Sequence, residues 1–205
     1  PNYVGAVSGA EPFLHRNYLY FFSKNHLIFN GYPLKPDSDS PEEIYDYICE
    51  RLQPTMVAAI ASTIWLPVGQ YEKQTTDSYY RLDLPLGSID AKVSYMLRRA
   101  QRDLQVAPGT LRREHKKIIK AFVAGHRFTP TQNSLFKSIP HYLKASKSAV
   151  LLEARRKKEL VAFSIMDIGA ADYAFYSFNF RSKKINVPGG SDLLFHEMIN
   201  LANNE

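Results

Sequence analysis

A pair of glycines opening into a helix, a strand rich in tyrosine and phenylalanine before it, and a carboxylate one strand earlier have the types and spacing to do chemistry in this 205-residue chain. Pro188-Gly189-Gly190-Ser191-Asp192 stops an extended run and supplies a helix start, with Ser191 or Asp192 placed to accept from the first N–H groups. Unpaired N–H groups and the helix dipole converge at such a point, so it can hold a phosphate. The same residues also make a plain turn and cap, and Asp192 already brings a negative charge there. Tyr173, Tyr176, Phe178 and Asn179 lie on the strand leading into the loop. Strict alternation predicts that Tyr176 and Phe178 face one way and Tyr173 and Asn179 the other, lining a ligand or packing as sheet aromatics. Asp167, near the end of the preceding strand, can orient an amine, act as a base, or stand solvated before a turn. His196 and Asn200 fall at i and i+4 on the following helix, a polar pair on one face.

Cations gather elsewhere. Arg98, Arg99 and Arg102 fall on one predicted helix, and Arg112, Arg113, Lys116, Lys117 and Lys120 on the next. Such a surface binds the phosphates of tRNA, the 3′-phosphate of coenzyme A or an anionic lipid headgroup, or it simply stays solvated. The net charge of +6 favours an anionic partner. Aromatics are not interleaved with these cations, so nothing marks base readout. His115, His126, His141 and His196 are scattered without metal-ligand spacing, and the single Cys49 excludes an internal disulfide and a cysteine-based zinc site. No metal is expected. There is no Gly-x-Ser-x-Gly elbow and no P-loop, which argues against a serine hydrolase or a P-loop NTPase.

The elements that position these residues follow from pattern. Residues 1–16 read as an irregular arm; Tyr18–Phe22 and Leu27–Phe29 read as a hairpin; 31–41 is loop. Ser40 and Pro41 open a helix to about Leu52 with Ile44 and Ile48 inward. Met56–Leu66 reads as a buried strand, 68–78 as a polar loop, and Tyr79–Leu84 as a strand. Ser88 caps a helix whose apolar face is Ile89, Val93, Met96, Leu97, Ala100 and Leu104. Val106–Gly109 is a loop before a second helix that buries Ile118, Ile119, Phe122 and Val123 and ends at Gly125. A third helix spans about Thr131–Leu143, bent or shortened by Pro140. Strands follow at Ala149–Ala154, Leu160–Ile168 and Tyr173–Phe180, then the loop and a helix that turns Leu194, Met198, Leu201 and Ala202 inward.

This order, with the wording "vaF-x-I-x-D-x-G…Y-x-F-x-F…vpG-x-sDLL-x-xEMI", resembles a GNAT-type acyltransferase domain, and the Fem-type and related transferases in particular. The basic segment KVSYMLRRAQRDLQV is similar to the Fem-type Arg-Arg-x-x-Arg element. The resemblance implies an α/β GNAT-like fold, a mixed sheet flanked by helices, in two tandem halves (1–87 and 88–205) that share the sheet. It implies that the glycine loop holds the pyrophosphate of an acyl-CoA, with donor contacts at Tyr176, Phe178, Val187, Gly189, Gly190 and Ser191. Acceptor contacts would come from Asp167, Tyr173, Asn179 and His196. The segment from Lys184 to Gly190 has the glycines of the pyrophosphate motif without its leading Arg or Gln. The family also implies a further strand after the last helix, lying outside this sequence or supplied by other residues such as the N-terminal ones.

The function expected on these grounds is N-acyl transfer, from acyl-CoA or aminoacyl-tRNA to a small-molecule or peptide amine. Direct attack on a held, polarised carbonyl needs few protein groups, so no catalytic base stands out. The alternative is a non-catalytic module of the same fold that binds RNA or an acidic partner through its basic helices. With 45% hydrophobic and 22% charged residues the composition is that of an ordinary globular chain. Neither a membrane-spanning apolar run nor a signal-peptide pattern is visible, and the expected compartment is the cytoplasm.

Overall fold

The computed structural model describes residues 2–35, 39–67, 69–170 and 173–204. The chain divides into two compact units, Pro1–Tyr79 and Tyr80–Glu205. Its strands form two four-stranded sheets, β1-β2-β3-β4 and β5-β6-β7-β8, and not one sheet shared between halves.

The first unit runs α1 (Asn2–Ser8), β1 (Glu11–His15), β2 (Tyr18–Ser23), β3 (His26–Asn30), α2 (Pro41–Leu52) and β4 (Met56–Ile60). β1, β2 and β3 form an antiparallel meander, and β4 joins β3 in parallel. Lys24 and Asn25 take φ of 48° and 63°, the left-handed pair that a two-residue hairpin turn between twisted strands requires. Pro41 opens α2, where a missing N–H costs nothing, and Ile44 and Ile48 bury one turn apart on Tyr18, Leu27 and Phe29. Two expectations change here. The stretch 1–16 holds α1 and β1, not an irregular arm, because β1 finds its ladder on β2. The expected buried strand over Met56–Leu66 shortens to β4, and as an edge strand it leaves Met56 and Ile60 62% and 56% exposed.

The second unit runs α3 (Ala91–Asp103), β5 (Gln105–Pro108), α4 (Arg113–Ala124), α5 (Pro130–Ala145), β6 (Ala149–Arg156), β7 (Glu159–Asp167), β8 (Phe175–Arg181) and α6 (Gly190–Asn204). Its sheet is antiparallel throughout. One face, carrying Leu152, Ala154, Ala162 and Met166, packs with Leu97, Ala100 and Leu104 around α3 and with Leu193, Leu194 and Met198 of α6. Burying Leu194 and Met198 alone contributes about 1.5–3 kcal/mol each relative to exposure. The other face carries Phe163 and Phe180 in a 5.0 Å stack; His115 and Phe122 of α4 meet these rings edge-on.

Several local expectations are corrected. Tyr79–Leu84 forms no strand: no strand pairs with it, and Tyr79 and Tyr80 stand exposed. Asp90, not Ser88, caps α3, accepting from Lys92 and Val93 N–H. Val106–Gly109 contributes to strand β5, drawn into extension by its pairing with β6. Pro140 lies inside α5 without ending it; the helix runs on to Ala145 behind a capping box of Thr129 and Gln132. The N-terminal residues do not extend this sheet, since β1 belongs to the other one.

Candidate functional site

The glycine loop leaves β8 at Arg181 and enters α6 at Gly190. Ser191 and Asp192 therefore sit inside the first turn and are not its cap: Gly190 N–H bonds back to Val187 and Leu193 N–H to Gly189. Gly189 takes φ +80°, and a Cβ there would lie 2.5 Å from the Met96 carbonyl oxygen of α3. At Gly190 a Cβ would meet Leu104 at 3.2 Å. The two glycines thus let the loop lie directly on the α3 segment, with Val187 buried beside them.

Above this contact runs a row of polar side chains. Ser191 Oγ donates to Asn179 Oδ1 at 3.4 Å, Asn179 Nδ2 donates to Tyr176 Oη at 2.7 Å, and Tyr176 Oη pairs with Ser164 Oγ at 2.9 Å. Strict alternation forbids this row, because Tyr176 and Asn179 are three residues apart. A β-bulge makes it possible: Ile165 opposes Phe178 but Met166 opposes Tyr176, so Ser177 is the extra residue. The bulge corrects the expected pairing of faces. Phe178 turns to the α5 side, 5.9 Å from Phe180 and 6.3 Å from Phe136, while Tyr176 turns to α6 and meets Phe195 edge-on at 5.0 Å. The row joins Ser164 of the sheet to the first turn of α6, and three of the expected residues (Tyr176, Asn179, Ser191) fall in it.

The remaining expected residues lie apart. Asp167 accepts from Tyr142 Oη at 2.6 Å and from Gly169 N–H at 3.0 Å. Burial pushes its carboxyl up, but the bonds from Tyr142, Ser148 and Gly169 outweigh that, and it titrates below the usual carboxylate value. A carboxylate held this way is a weak base and a strong anchor for α5. Tyr173 is exposed, and His196 Nδ1 pairs with Asn200 Nδ2 at 3.2 Å on α6. Arg98, Arg99, Arg102, Arg112 and Arg113 are all exposed, and none forms an ion pair with a described residue.

Sequence reasoning missed a buried ionic cluster on the opposite face of the sheet. His115 Nε2 lies 3.1 Å from Glu153 Oε1, and Arg155 Nε donates to Glu153 Oε2 at 2.5 Å while its guanidinium also pairs with Glu114. His115 Nδ1 accepts Arg112 N–H at 3.0 Å, closing the N-terminus of α4. The available signal was Glu153-x-Arg155 after the apolar start of its strand, two residues apart and so on one face.

No family model matches the sequence, and no curated protein matches it. Solved structures do. The C-terminal domain (DUF2156) of a putative lysylphosphatidylglycerol synthetase from Agrobacterium fabrum superposes with a TM-score of 0.60 at 15% identity, covering 99% of this chain and 70% of that one. L-PGS from Bacillus licheniformis gives 0.58 at 16% identity, over 98% of this chain and 67% of that one. A conserved protein of unknown function from Bacteroides thetaiotaomicron gives 0.61 at 12%, over 96% and 73%. The chain thus has the mixed α/β, GNAT-like fold of these structures, with two sheets flanked by helices.

Proposed function

We propose that this chain works in aminoacyl transfer, moving an aminoacyl group from an activated ester, such as aminoacyl-tRNA, to an acceptor. The observation that carries the reading is a fold likeness, over 99% of this chain, to the C-terminal domain of a putative lysylphosphatidylglycerol synthetase. In a synthesis of that name a lysyl carboxyl becomes esterified to the lipid. The acceptor we favour is accordingly a hydroxyl of an anionic lipid headgroup, in place of the amine expected from sequence. In such a step the acceptor oxygen attacks the aminoacyl carbonyl, the ester bond to the carrier breaks, and the acceptor's proton ends on the departing hydroxyl.

The chain's own residues suit this role in two ways. The row Ser164–Tyr176–Asn179–Ser191 presents linked hydroxyls and an amide where β8 meets α6, groups able to hold a polar substrate and pass a proton. The exposed arginines of α3 and those opening α4 suit tRNA phosphates. Acyl-CoA fits less well: the leading Arg or Gln of a pyrophosphate loop is missing, and the space a side chain would take at Gly189 is filled by α3. That same filled space favours a second reading, a binding module whose glycines serve packing alone.

The test is a transfer assay with the chain, radiolabelled lysyl-tRNA and phosphatidylglycerol vesicles, with acetyl-CoA in a parallel arm. Label extracted with the lipid, and reduced at least about ten-fold in Tyr176→Phe, is the expected result. Salt-sensitive tRNA binding without transfer to any acceptor would replace the enzyme by the module.

A further inference from the structure

A cleft of about 640 Å³ lies in the second unit, between the turn after β5, helices α4 and α5, and the start of β6. Its apolar lining is Leu111, Pro140, Leu143 and Leu151; its polar lining includes Lys116 of α4 and His141 and Lys144 of α5. No carboxylate is in the lining, and neither lysine forms an ion pair with a described residue. The nearby acids are committed elsewhere. Glu153, behind Gly109, is held by Arg155, and Asp167 by Tyr142 and Gly169 N–H. Lys116 and Lys144 both border the cleft, and an anion bound there would offset the repulsion between their like charges. His141 offers an N–H in either protonation state.

The cleft lies on the other face of the sheet from the polar row. Ala149 and Leu151 share a face with Glu153, which meets His115 of α4, whereas Ser164 and Tyr176 face α6. A ligand here is not the group being transferred at the β8–α6 edge.

We propose that this cleft binds the phosphate of an anionic amphiphile, with Lys116, His141 and Lys144 on the phosphate and Leu143 and Leu151 against its apolar part. A free phosphate would need only the charges; the apolar floor beside them suits a phosphate carried on a hydrocarbon body. The site would hold the protein on an acidic lipid surface, and it stands whether or not transfer occurs on the other face of the sheet.

Vesicle co-sedimentation of the full chain tests it, comparing phosphatidylcholine vesicles with mixed phosphatidylcholine–phosphatidylglycerol vesicles (three to one) and with no donor present. The expected result is binding to the mixed vesicles that falls at least about ten-fold in the Lys116→Glu/Lys144→Glu variant. The Lys117→Glu/Lys120→Glu variant, equal in charge and outside the cleft, should lose only a few-fold. Equal loss in the two variants, or no preference for the acidic vesicles, overturns the cleft as a site. Full displacement from the vesicles by sn-glycerol 3-phosphate would keep the phosphate site and overturn the amphiphile. Because binding is read without donor, a failed transfer assay and a failed cleft remain separate results.

Discussion

His115 and Glu153 face each other where α4 packs on β6, Nε2 to Oε1 at 3.1 Å, with the imidazole wholly buried. The ring's other nitrogen accepts Arg112 N–H, so the imidazole is neutral and its one proton sits on Nε2, close to the carboxylate but without hydrogen-bond geometry to it. A second proton would have to displace the Arg112 bond that closes the helix. Burial holds the imidazole below its ordinary value, against the opposite pull of Glu153 and Glu114.

A pH dependence follows from that depressed value. The unfolded chain takes up the proton near pH 6.5 and the folded one only lower, so the contribution is complete above about 6.5 and is lost as pH falls toward the folded value. Unfolding free energy should drop below pH 6.5 with a slope of at most about 1.4 kcal/mol per pH unit from this group. Urea titrations at a series of pH values would read it, and in His115→Gln that part of the slope should vanish. An unchanged slope would assign the titration to another residue.

Glu153 is the centre of its cluster, so removing it should cost more than removing a surface acid. Glu153→Leu leaves His115 Nε2–H without its facing carboxylate and Arg155 with Glu114 alone. The expected loss is roughly 3–5 kcal/mol in urea unfolding. Gly109→Ala should act on the same carboxylate, since a Cβ there falls 2.3 Å from Oε1, and cost about 1–3 kcal/mol.

Gly189 should tolerate no side chain. Its φ of +80° and the 2.5 Å approach to the Met96 oxygen set strain and overlap together. For Gly189→Ala a loss of about 1–3 kcal/mol is expected in thermal unfolding. A near-neutral result would mean that α3 yields at this contact, and that the glycine is there for something other than packing.

Tyr176→Phe keeps the ring against Phe195 and deletes only the hydroxyl shared by Ser164 and Asn179. Ser164 is fully buried, and leaving it unpaired should cost about 1–3 kcal/mol. Ser164→Ala in the Tyr176→Phe background should recover part of that loss, whereas transfer activity, if Tyr176 touches substrate, should stay low. The double mutant separates stability from chemistry.

Much of the second unit was legible because its signals are local. The apolar face of α6, the glycines before it and the aromatic strands announce themselves within a few residues, although the caps of α3 and α6 fall on other residues than those expected. What was missed depends on partners distant in sequence. β5 reads as a loop because Ala107-Pro108-Gly109 looks like one, and only the ladder to β6 extends it. Tyr79–Leu84 alternates well, yet no described strand forms a ladder with it. At the candidate site Tyr176, Phe178 and Asn179 were assigned to the wrong faces, because a bulge arises between two strands and leaves no mark on one. His115 was seen only as one of several scattered histidines; its partner lies 38 positions on (153 − 115) and meets it only in the folded sheet.

The Ser177 bulge puts the two ends of β8 out of phase, and this bears on how the chain can change in length. Removing that single residue would restore an unbroken ladder and would be locally easy. Tyr176 would then stand two positions before Asn179, on the same face and still opposite Met166, with Phe178 on the other face opposite Ile165. The polar row would therefore outlast the bulge, and the extra residue governs how β8 bends and twists, not which side chains meet across it.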